Sequence, residues 1–198
     1  MEQYKGYTIE IEQDTEPMSP RDWDNLGTMA FFHKRYNLSN ETDYKESDFN
    51  SWDELLDQIE KDYPNAVILP VRMYDHSGIA FSTRYEYPFN CQWDSGQVGF
   101  IFVPLEKVRA EYGVQRVSKK LRQRVATYLQ NEVTTYTDYV SGNVWGYRIY
   151  KGEEEVDSCW GFFGDGAEEA AKEMIDSYGD VKELMGLINE EVSKHATA

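Results

Sequence analysis

The hydrophobic pattern of this chain changes between two periods, which predicts both strands and helices. Tyr7, Ile9 and Ile11 alternate with polar residues, as in a half-exposed strand. Pro70 lies inside the most apolar run, which predicts an edge position or a β-bulge there. Further strands are predicted at 28–33, 66–74, 79–83, 98–103, 144–150 and 155–163.

Helical signals separate these strands. Ser51 and Glu54 fit a capping box, which predicts a helix that runs to about Asp62. Apolar residues recur every three to four positions over about 117–140, as in a long amphipathic helix. Helix-start signals predict C-terminal helices within 165–195, either in the main body or as a small subdomain. We therefore expect one α+β domain over 1–198, with a largely antiparallel sheet packed against several helices.

Composition is that of a folded protein. Aromatic residues make up 15% of the 198 residues, enough to bury a substantial core. The two cysteines, Cys91 and Cys159, are too few for a disulfide framework. No apolar run approaches the roughly 20 residues that span a bilayer, and the first residues do not resemble a secretory signal. We expect a cytoplasmic protein without membrane contact.

Charge is the most informative property of the composition. The chain has 36 acidic and 20 basic residues, a net charge of -16. Residues 1–62 carry -10, residues 63–152 carry +4, and residues 153–198 carry -10. Such a field repels nucleic acid and attracts basic partners, so direct nucleic-acid binding is not expected.

The acidic residues have two interpretations. Acidic side chains on exposed helices keep a protein soluble and need no partner. Alternatively, they imitate the phosphates of DNA and occupy the Lys- and Arg-lined groove of a nucleic-acid-binding protein. The candidate contact residues are Asp43, Glu46, Asp48, Asp53, Glu54, Asp57, Glu60, Glu153, Glu154, Glu155 and Asp157. The basic segment from Lys107 to Arg124 is interpreted as a solvated face that pairs with the acidic ends, rather than as a nucleic-acid site.

A catalytic site is the main alternative to a binding surface. His76 can act as a general base oriented by Asp94, with Cys91 or Cys159 as the nucleophile. His76 with Asp24, Asp75 or Asp94 can also be combined into a metal site. Neither arrangement has a spacing signature, and both His76 and Asp94 also suit turns held by hydrogen bonds to the backbone. No nucleotide-binding loop occurs, so we expect no cofactor and no resident metal, and a non-catalytic protein is favoured.

Four segments carry a family resemblance. The segments are SPRDWDNLGTMAFFHKRY (19–36), YDHSGIAFST (74–83), CQWDSGQVGFIFV (91–103) and DSCWGFFG (157–164). They resemble a family of small acidic proteins encoded by phages and mobile elements, for which no activity is established. The resemblance implies a gene of a phage or mobile element and action in a bacterial cytoplasm, where acidic accessory proteins often inhibit host defence, as antirestriction proteins do. It assigns no site residue.

The leading hypothesis is therefore a phage or mobile-element protein that binds and inhibits a host nucleic-acid-targeting complex of restriction or CRISPR type. The partner would be a basic, nucleic-acid-binding host protein. One alternative is a hydrolase acting on a small signalling molecule or modified nucleotide at His76 and Asp94. Another is a phage structural or assembly protein, which predicts stable homo-oligomers. The sequence leaves the oligomeric state open.

Overall fold

The fold has the α+β class that the hydrophobic pattern predicts. A computed structural model describes residues 1–76, 78–83 and 94–179 of the chain. The strands are β1 (Glu2–Tyr4), β2 (Tyr7–Gln13), β3 (Thr28–Phe31), β4 (Val67–Asp75), β5 (Ile79–Ser82), β6 (Ser95–Val103), β7 (Val144–Lys151) and β8 (Glu154–Phe163). The helices are α1 (Trp52–Asp62), α2 (Leu105–Tyr112), α3 (Lys119–Ser141) and α4, of which residues 167–179 are described. None of the described helices is long and apolar enough to cross a membrane.

The strands form two antiparallel four-stranded sheets where the pattern suggested one. Alternation along a strand shows which face is buried, but it does not show which strands pair. The chain likewise divides into two compact units, which are Met1–Pro17 with Gly142–Ala198, and Met18–Ser141. We call them the terminal unit and the central unit. The expectation of one domain over 1–198 stays a prediction. The predicted C-terminal helices are described only as far as residue 179, so the part from Asp180 onward lies outside the described residues.

The terminal unit contains the sheet with strand order β1-β2-β7-β8. One sheet face packs against α4, where Ile9 and Ile149 meet Ala171 and Ile175 in a small buried cluster. The other face carries polar side chains, among them Glu12 and Arg148. β8 lies at the sheet edge with most of its side chains exposed, so this unit presents a polar sheet face and a long edge strand.

The central unit has helices on both faces of the sheet with strand order β3-β6-β4-β5. Phe100 and Phe102 of β6 pack toward Leu55 and Ile59 of α1. Their neighbour Ile101 belongs to a second cluster, which includes the apolar side of α3. Because β6 is buried on both faces, its sequence is a nearly continuous apolar run and does not alternate.

Pro70 shows how the chain tolerates a proline in this sheet. β4 pairs with β6 along most of its length, whereas β5 pairs only with the stretch from Arg72 to Asp75. At Pro70, β4 therefore has a ladder partner on one side, Phe100 of β6, and β5 does not reach it. The register also shifts between Val71 and Arg72. The sequence predicted an edge position or a β-bulge at Pro70, and the structure has a local edge position there and a bulge next to it.

Candidate functional site

The structure brings His76 and Asp94 together. His76 Nδ1 lies 3.3 Å from Asp94 Oδ2, and His76 is largely exposed. The backbone of this region is ordered by hydrogen bonds, since the Asp75 amide donates to the Asp94 carbonyl and the Gly78 amide donates to the His76 carbonyl. The contact between an imidazole and a carboxylate on which the hydrolase alternative depends is therefore present.

A pocket of about 280 Å³ is lined by Asp94, whereas His76 is not among its described lining residues. Its lining includes His33, Arg35, Asp75 and Asp94, and the guanidinium of Arg35 forms an ion pair with Asp75. Charged and polar side chains thus line most of the pocket, together with Met73 and Val98.

The structure associates neither proposed nucleophile with the pair. Cys91 lies outside the described residues. Cys159 is an exposed free thiol on β8 of the terminal unit, whereas His76 and Asp94 belong to the central unit. Among the described residues, no group of three His, Cys, Asp or Glu side chains is arranged to hold a metal ion, so neither Asp24 nor Asp75 completes a site with His76.

Helix α1 carries the first acidic surface. Leu55 and Ile59 face the core, and the opposite face presents an exposed stripe of carboxylates at helical spacing. We call it the α1 stripe, and it consists of Asp53, Asp57 and Glu60. Glu54 has a different role, because its carboxylate accepts a hydrogen bond of 2.8 Å from the Asn50 amide at the start of the helix.

A large acidic cleft opens at the far end of the same helix. Its volume is about 1010 Å³, and no basic residue belongs to its described lining. Tyr44 lines the cleft, and its hydroxyl donates a hydrogen bond of 3.0 Å to the Asp62 carboxylate. Burial and this hydrogen bond to a carboxylate raise the pKa of Tyr44. We call it the acidic cleft, and its acidic and aromatic lining residues are Glu41, Asp43, Tyr44, Asp62, Tyr63 and Phe102.

Of the predicted loop carboxylates, only Asp43 lines this cleft. Glu46 and Asp48 lie on the short 3-10 helix Glu46–Asp48, and both are exposed. Sequence reasoning missed Asp62 and Tyr63, which end α1 and cap it. Their signal was present in the chain, because an aspartate and a tyrosine precede Pro64, where a helix is expected to stop.

Strand β8 carries the second predicted acidic cluster, and a β-bulge divides it. Tyr150 pairs with Glu155 while the next residue back, Ile149, pairs with Asp157. Glu155 therefore lies on the polar sheet face, where its carboxylate is 2.9 Å from Arg148. Asp157 faces α4 instead and accepts a hydrogen bond of 3.0 Å from the Tyr178 hydroxyl.

Arg148 is the centre of the polar sheet face. Besides Glu155, its guanidinium lies 3.4 Å from Glu12 and 5.3 Å from the ring centroid of Trp160. The hydrogen bond to Glu155 is the largest cause that raises the pKa of Arg148. Glu153 and Glu154, at the turn into β8, are exposed. Some β8 carboxylates are thus already paired, while those at the turn face solvent.

The two units differ sharply in charge. The terminal unit has 18 acidic and 6 basic residues, a net charge of -12, within 74 of the 198 residues. The central unit has 18 acidic and 14 basic residues, a net charge of -4. Residues 1–17 of the N-terminal acidic region share this unit with the C-terminal acidic region, whereas residues 18–62 belong to the central unit.

The basic segment does not neutralise this acidity by ion pairing in the described part of the chain. Arg122 donates to the backbone carbonyls of Asn65 and Ala66 at 2.6 and 3.0 Å. Arg124 lies over the ring of Tyr112 at 5.6 Å. No ion pair of the described residues involves a base between 107 and 124, so the predicted pairing with the acidic ends is not found there.

In comparisons with known proteins, the chain matches no protein-family model, no curated protein and no solved structure. The likeness to acidic phage and mobile-element proteins therefore still rests on the four sequence segments. All four segments contribute to the candidate sites: residues 19–36 hold His33 and Arg35, and residues 91–103 hold Asp94 and Phe102. Residues 74–83 hold His76, and residues 157–164 hold Asp157, Cys159 and Trp160.

Proposed function

We propose that the protein works by binding a basic, nucleic-acid-binding host protein and keeping nucleic acid out of its groove. The observation that carries this proposal is the concentration of charge in the terminal unit, which holds -12 of the net charge of -16. A groove that binds DNA gains affinity by placing Lys and Arg side chains against phosphates. The described residues of this unit, 1–17 and 142–179, carry 14 acidic and 4 basic side chains, and this excess of negative charge attracts such a groove.

The accessible positions of the carboxylates support this mode of action. Glu153 and Glu154 are exposed at the turn into β8, and the α1 stripe is exposed along its helix. Rigid elements hold these groups, so binding does not require that a disordered chain be ordered first. Long-range attraction between opposite fields also speeds the encounter of the two proteins.

The biological setting follows from the family resemblance. Acidic proteins encoded by phages and mobile elements often inhibit host defence, so the target we propose is a restriction or CRISPR complex in a bacterial cytoplasm. The protein itself would not bind nucleic acid, because its field repels phosphates.

A competition experiment tests the proposal. A purified restriction or CRISPR complex is mixed with increasing amounts of the protein, and cleavage of a duplex DNA substrate is measured at several salt and DNA concentrations. We expect inhibition that added DNA relieves and that weakens steeply as salt rises. Inhibition that is unchanged by DNA and by salt would show that the protein acts elsewhere on the complex.

A hydrolase is the second candidate, and the distance of 3.3 Å between His76 Nδ1 and Asp94 Oδ2 favours it; Asp94, though not His76, also lines a pocket. In this function Asp94 would orient the imidazole and His76 would remove a proton from a nucleophile or from water. His76→Ala should then abolish turnover of a nucleotide or signalling-molecule substrate while folding and partner binding remain. If the defence-complex assay responds to His76→Ala as to the wild type, hydrolysis at this site does not cause the inhibition.

A further inference from the structure

The acidic cleft combines several features that favour a cation. Two loop residues, Glu41 and Asp43, contribute carboxylates from one side, and Asp62 contributes a third from the end of α1. Within the described part of the chain, none of these three carboxylates takes part in an ion pair. Three carboxylates thus line one cleft, and of these Asp62 already accepts hydrogen bonds at both oxygens, from Tyr44 and from Gln58.

The position of the cleft at a helix end adds to this field. α1 ends at Asp62, and Tyr63 is its C-cap residue. The C-terminal end of a helix carries a partial negative charge, because its last carbonyl groups have no partner within the helix. The helix end and the carboxylates therefore act in the same direction on a charged ligand.

Aromatic rings form the apolar wall of the cleft. The rings of Tyr63 and Phe102 stack with centroids 5.4 Å apart, and Tyr44 meets Phe102 edge to face at 6.2 Å. Tyr63 is one of the exposed large aromatic residues, with 39% of its surface accessible. A ring face next to carboxylates is an environment in which cations are attracted by the π-system as well as by charge.

We propose that this cleft binds an arginine side chain of the basic protein partner. A guanidinium is planar and weakly hydrated, so it can stack on a tyrosine ring while it donates forked hydrogen bonds to carboxylates. An ammonium group matches this combination less well, because it is a compact and strongly hydrated charge. The cleft is larger than one guanidinium, so it also has room for the peptide segment that carries the arginine.

This inference rests on the proposed function only in taking the partner to be a basic protein. Its test uses two fluorescent peptide probes of equal length and charge, one alternating arginine with glycine and the other alternating lysine with glycine. Fluorescence anisotropy measures their binding to the full chain at fixed ionic strength. We expect the arginine probe to bind about fivefold more tightly than the lysine probe.

Variants of the acidic cleft test whether the arginine probe binds there. Glu41→Gln with Asp43→Asn should weaken the arginine probe about tenfold, and Tyr63→Leu should remove most of its advantage over the lysine probe. The matched control, Asp53→Asn with Asp57→Asn, removes the same charge from the α1 stripe of the same unit and should change binding less than about twofold. Circular dichroism and thermal unfolding check that each variant is folded.

Each outcome decides the question. Equal binding of the two probes, absence of binding, or equal effects of the cleft pair and the control pair would overturn the arginine cleft. The proposed function can fail separately. A protein that selects the arginine probe through Tyr63 but does not compete with DNA has the cleft and lacks the proposed activity. A protein that competes with DNA but treats both probes alike has the activity and lacks the cleft.

Discussion

The guanidinium of Arg21 lies 2.9 Å from the carboxylate of Glu132, and both side chains are less than a tenth exposed. The other oxygen of Glu132 accepts hydrogen bonds from the amides of Leu26 and Gly27. Arg21 also donates to the Gly27 carbonyl and to the Asn40 side chain. This network fixes the segment that enters β3 to the middle of α3.

Removal of Glu132 should destabilise the protein strongly. Glu132→Ala leaves Arg21 buried with an uncompensated charge and leaves two amides without their acceptor, a loss of about 3–5 kcal/mol in the free energy of unfolding. Denaturant unfolding followed by circular dichroism measures it. The exposed neighbour Gln130 provides a control on the same helix, since Gln130→Ala should change stability by less than about 0.5 kcal/mol. Equal stability of the two variants would contradict a structural role for the pair.

A single methyl group at Gly99 should also be poorly tolerated. A Cβ atom there would lie 1.9 Å from the carbonyl oxygen of Ala30, which is backbone of the neighbouring strand, and Gly99 has φ of 155°. Gly99→Ala should therefore cost at least about 3 kcal/mol, because the strand itself would have to move. Gly96→Ala on the same strand is the control, as nothing lies within 4 Å of its Cβ position. Thermal unfolding of the two variants should differ clearly, and similar midpoints would refute the steric argument.

Elements with strong local signals were predictable from the sequence. The long helix was expected at about 117–140 and is found at Lys119–Ser141, because its apolar residues repeat at helical spacing. The Ser51 hydroxyl accepts from the Glu54 amide at 3.3 Å, as a capping box requires. The reciprocal bond differs, since the Glu54 carboxylate reaches the Asn50 amide instead of that of Ser51.

Long-range relationships were not predictable in the same way. Glu155 and Asp157 are two residues apart and would share a face in a regular strand, but the bulge in β8 sends them to opposite faces. Arg21 and Glu132 are 111 positions apart, and periodicity gives no information about such pairs. The placement of residues 1–17 in the same unit as the chain from Gly142 likewise depends on strand pairing between β2 and β7. His76 and Asp94 were combined only as one alternative, without a spacing signature, and their side chains lie 3.3 Å apart in the structure.

Acid should loosen the contact between the β1–β2 turn and α4. Lys5 Nζ lies 2.6 Å from Asp176, and the hydrogen bond from Lys5 is the first cause that lowers the pKa of Asp176. A carboxyl whose pKa is lowered on folding stabilises the fold above its unfolded pKa, and this stabilisation is lost as pH falls through the folded pKa. The stability difference between wild type and Asp176→Asn should thus be present at pH 7 and shrink below about pH 4.

Denaturant titrations at several pH values between 7 and 3 measure that difference. Glu173→Gln is the control on α4, because Glu173 is exposed and forms no ion pair among the described residues. A difference for Asp176→Asn that stays constant over the whole range would mean that its carboxylate does not stabilise the fold through Lys5.

Loss of Arg148 should strengthen partner binding. Arg148 compensates Glu12 and Glu155 on the polar sheet face, so Arg148→Gln releases two carboxylates there. Because these pairs are partly exposed, stability should change by less than about 1 kcal/mol. Affinity for the defence complex should rise about twofold or more, with a steeper dependence on salt.

Lys151→Gln is the matched control for Arg148→Gln. It removes one positive charge from the same strand, and Lys151 forms no ion pair among the described residues. Titration of the complex with each variant, by the DNA-cleavage assay, compares them. A larger gain for Arg148→Gln supports the sheet face as part of the contact. Equal gains would indicate that only net charge matters, and a loss of affinity would place the contact elsewhere.

The most direct test of the central claim compares three variants that each remove three negative charges. The first neutralises carboxylates at the turn into β8 and at the start of that strand. The second neutralises the carboxylates of the α1 stripe, and the third neutralises exposed carboxylates at and before α4. They are Glu153→Gln with Glu154→Gln and Glu155→Gln, then Asp53→Asn with Asp57→Asn and Glu60→Gln, and lastly Asp165→Asn with Glu169→Gln and Glu173→Gln. Inhibition of DNA cleavage by the defence complex is measured for each at about 0.15 M salt. Binding through the β8 side of the terminal unit predicts a loss of about tenfold for the first variant and less than about threefold for the third. Equal inhibition by all three variants and the wild type would contradict an electrostatic contact.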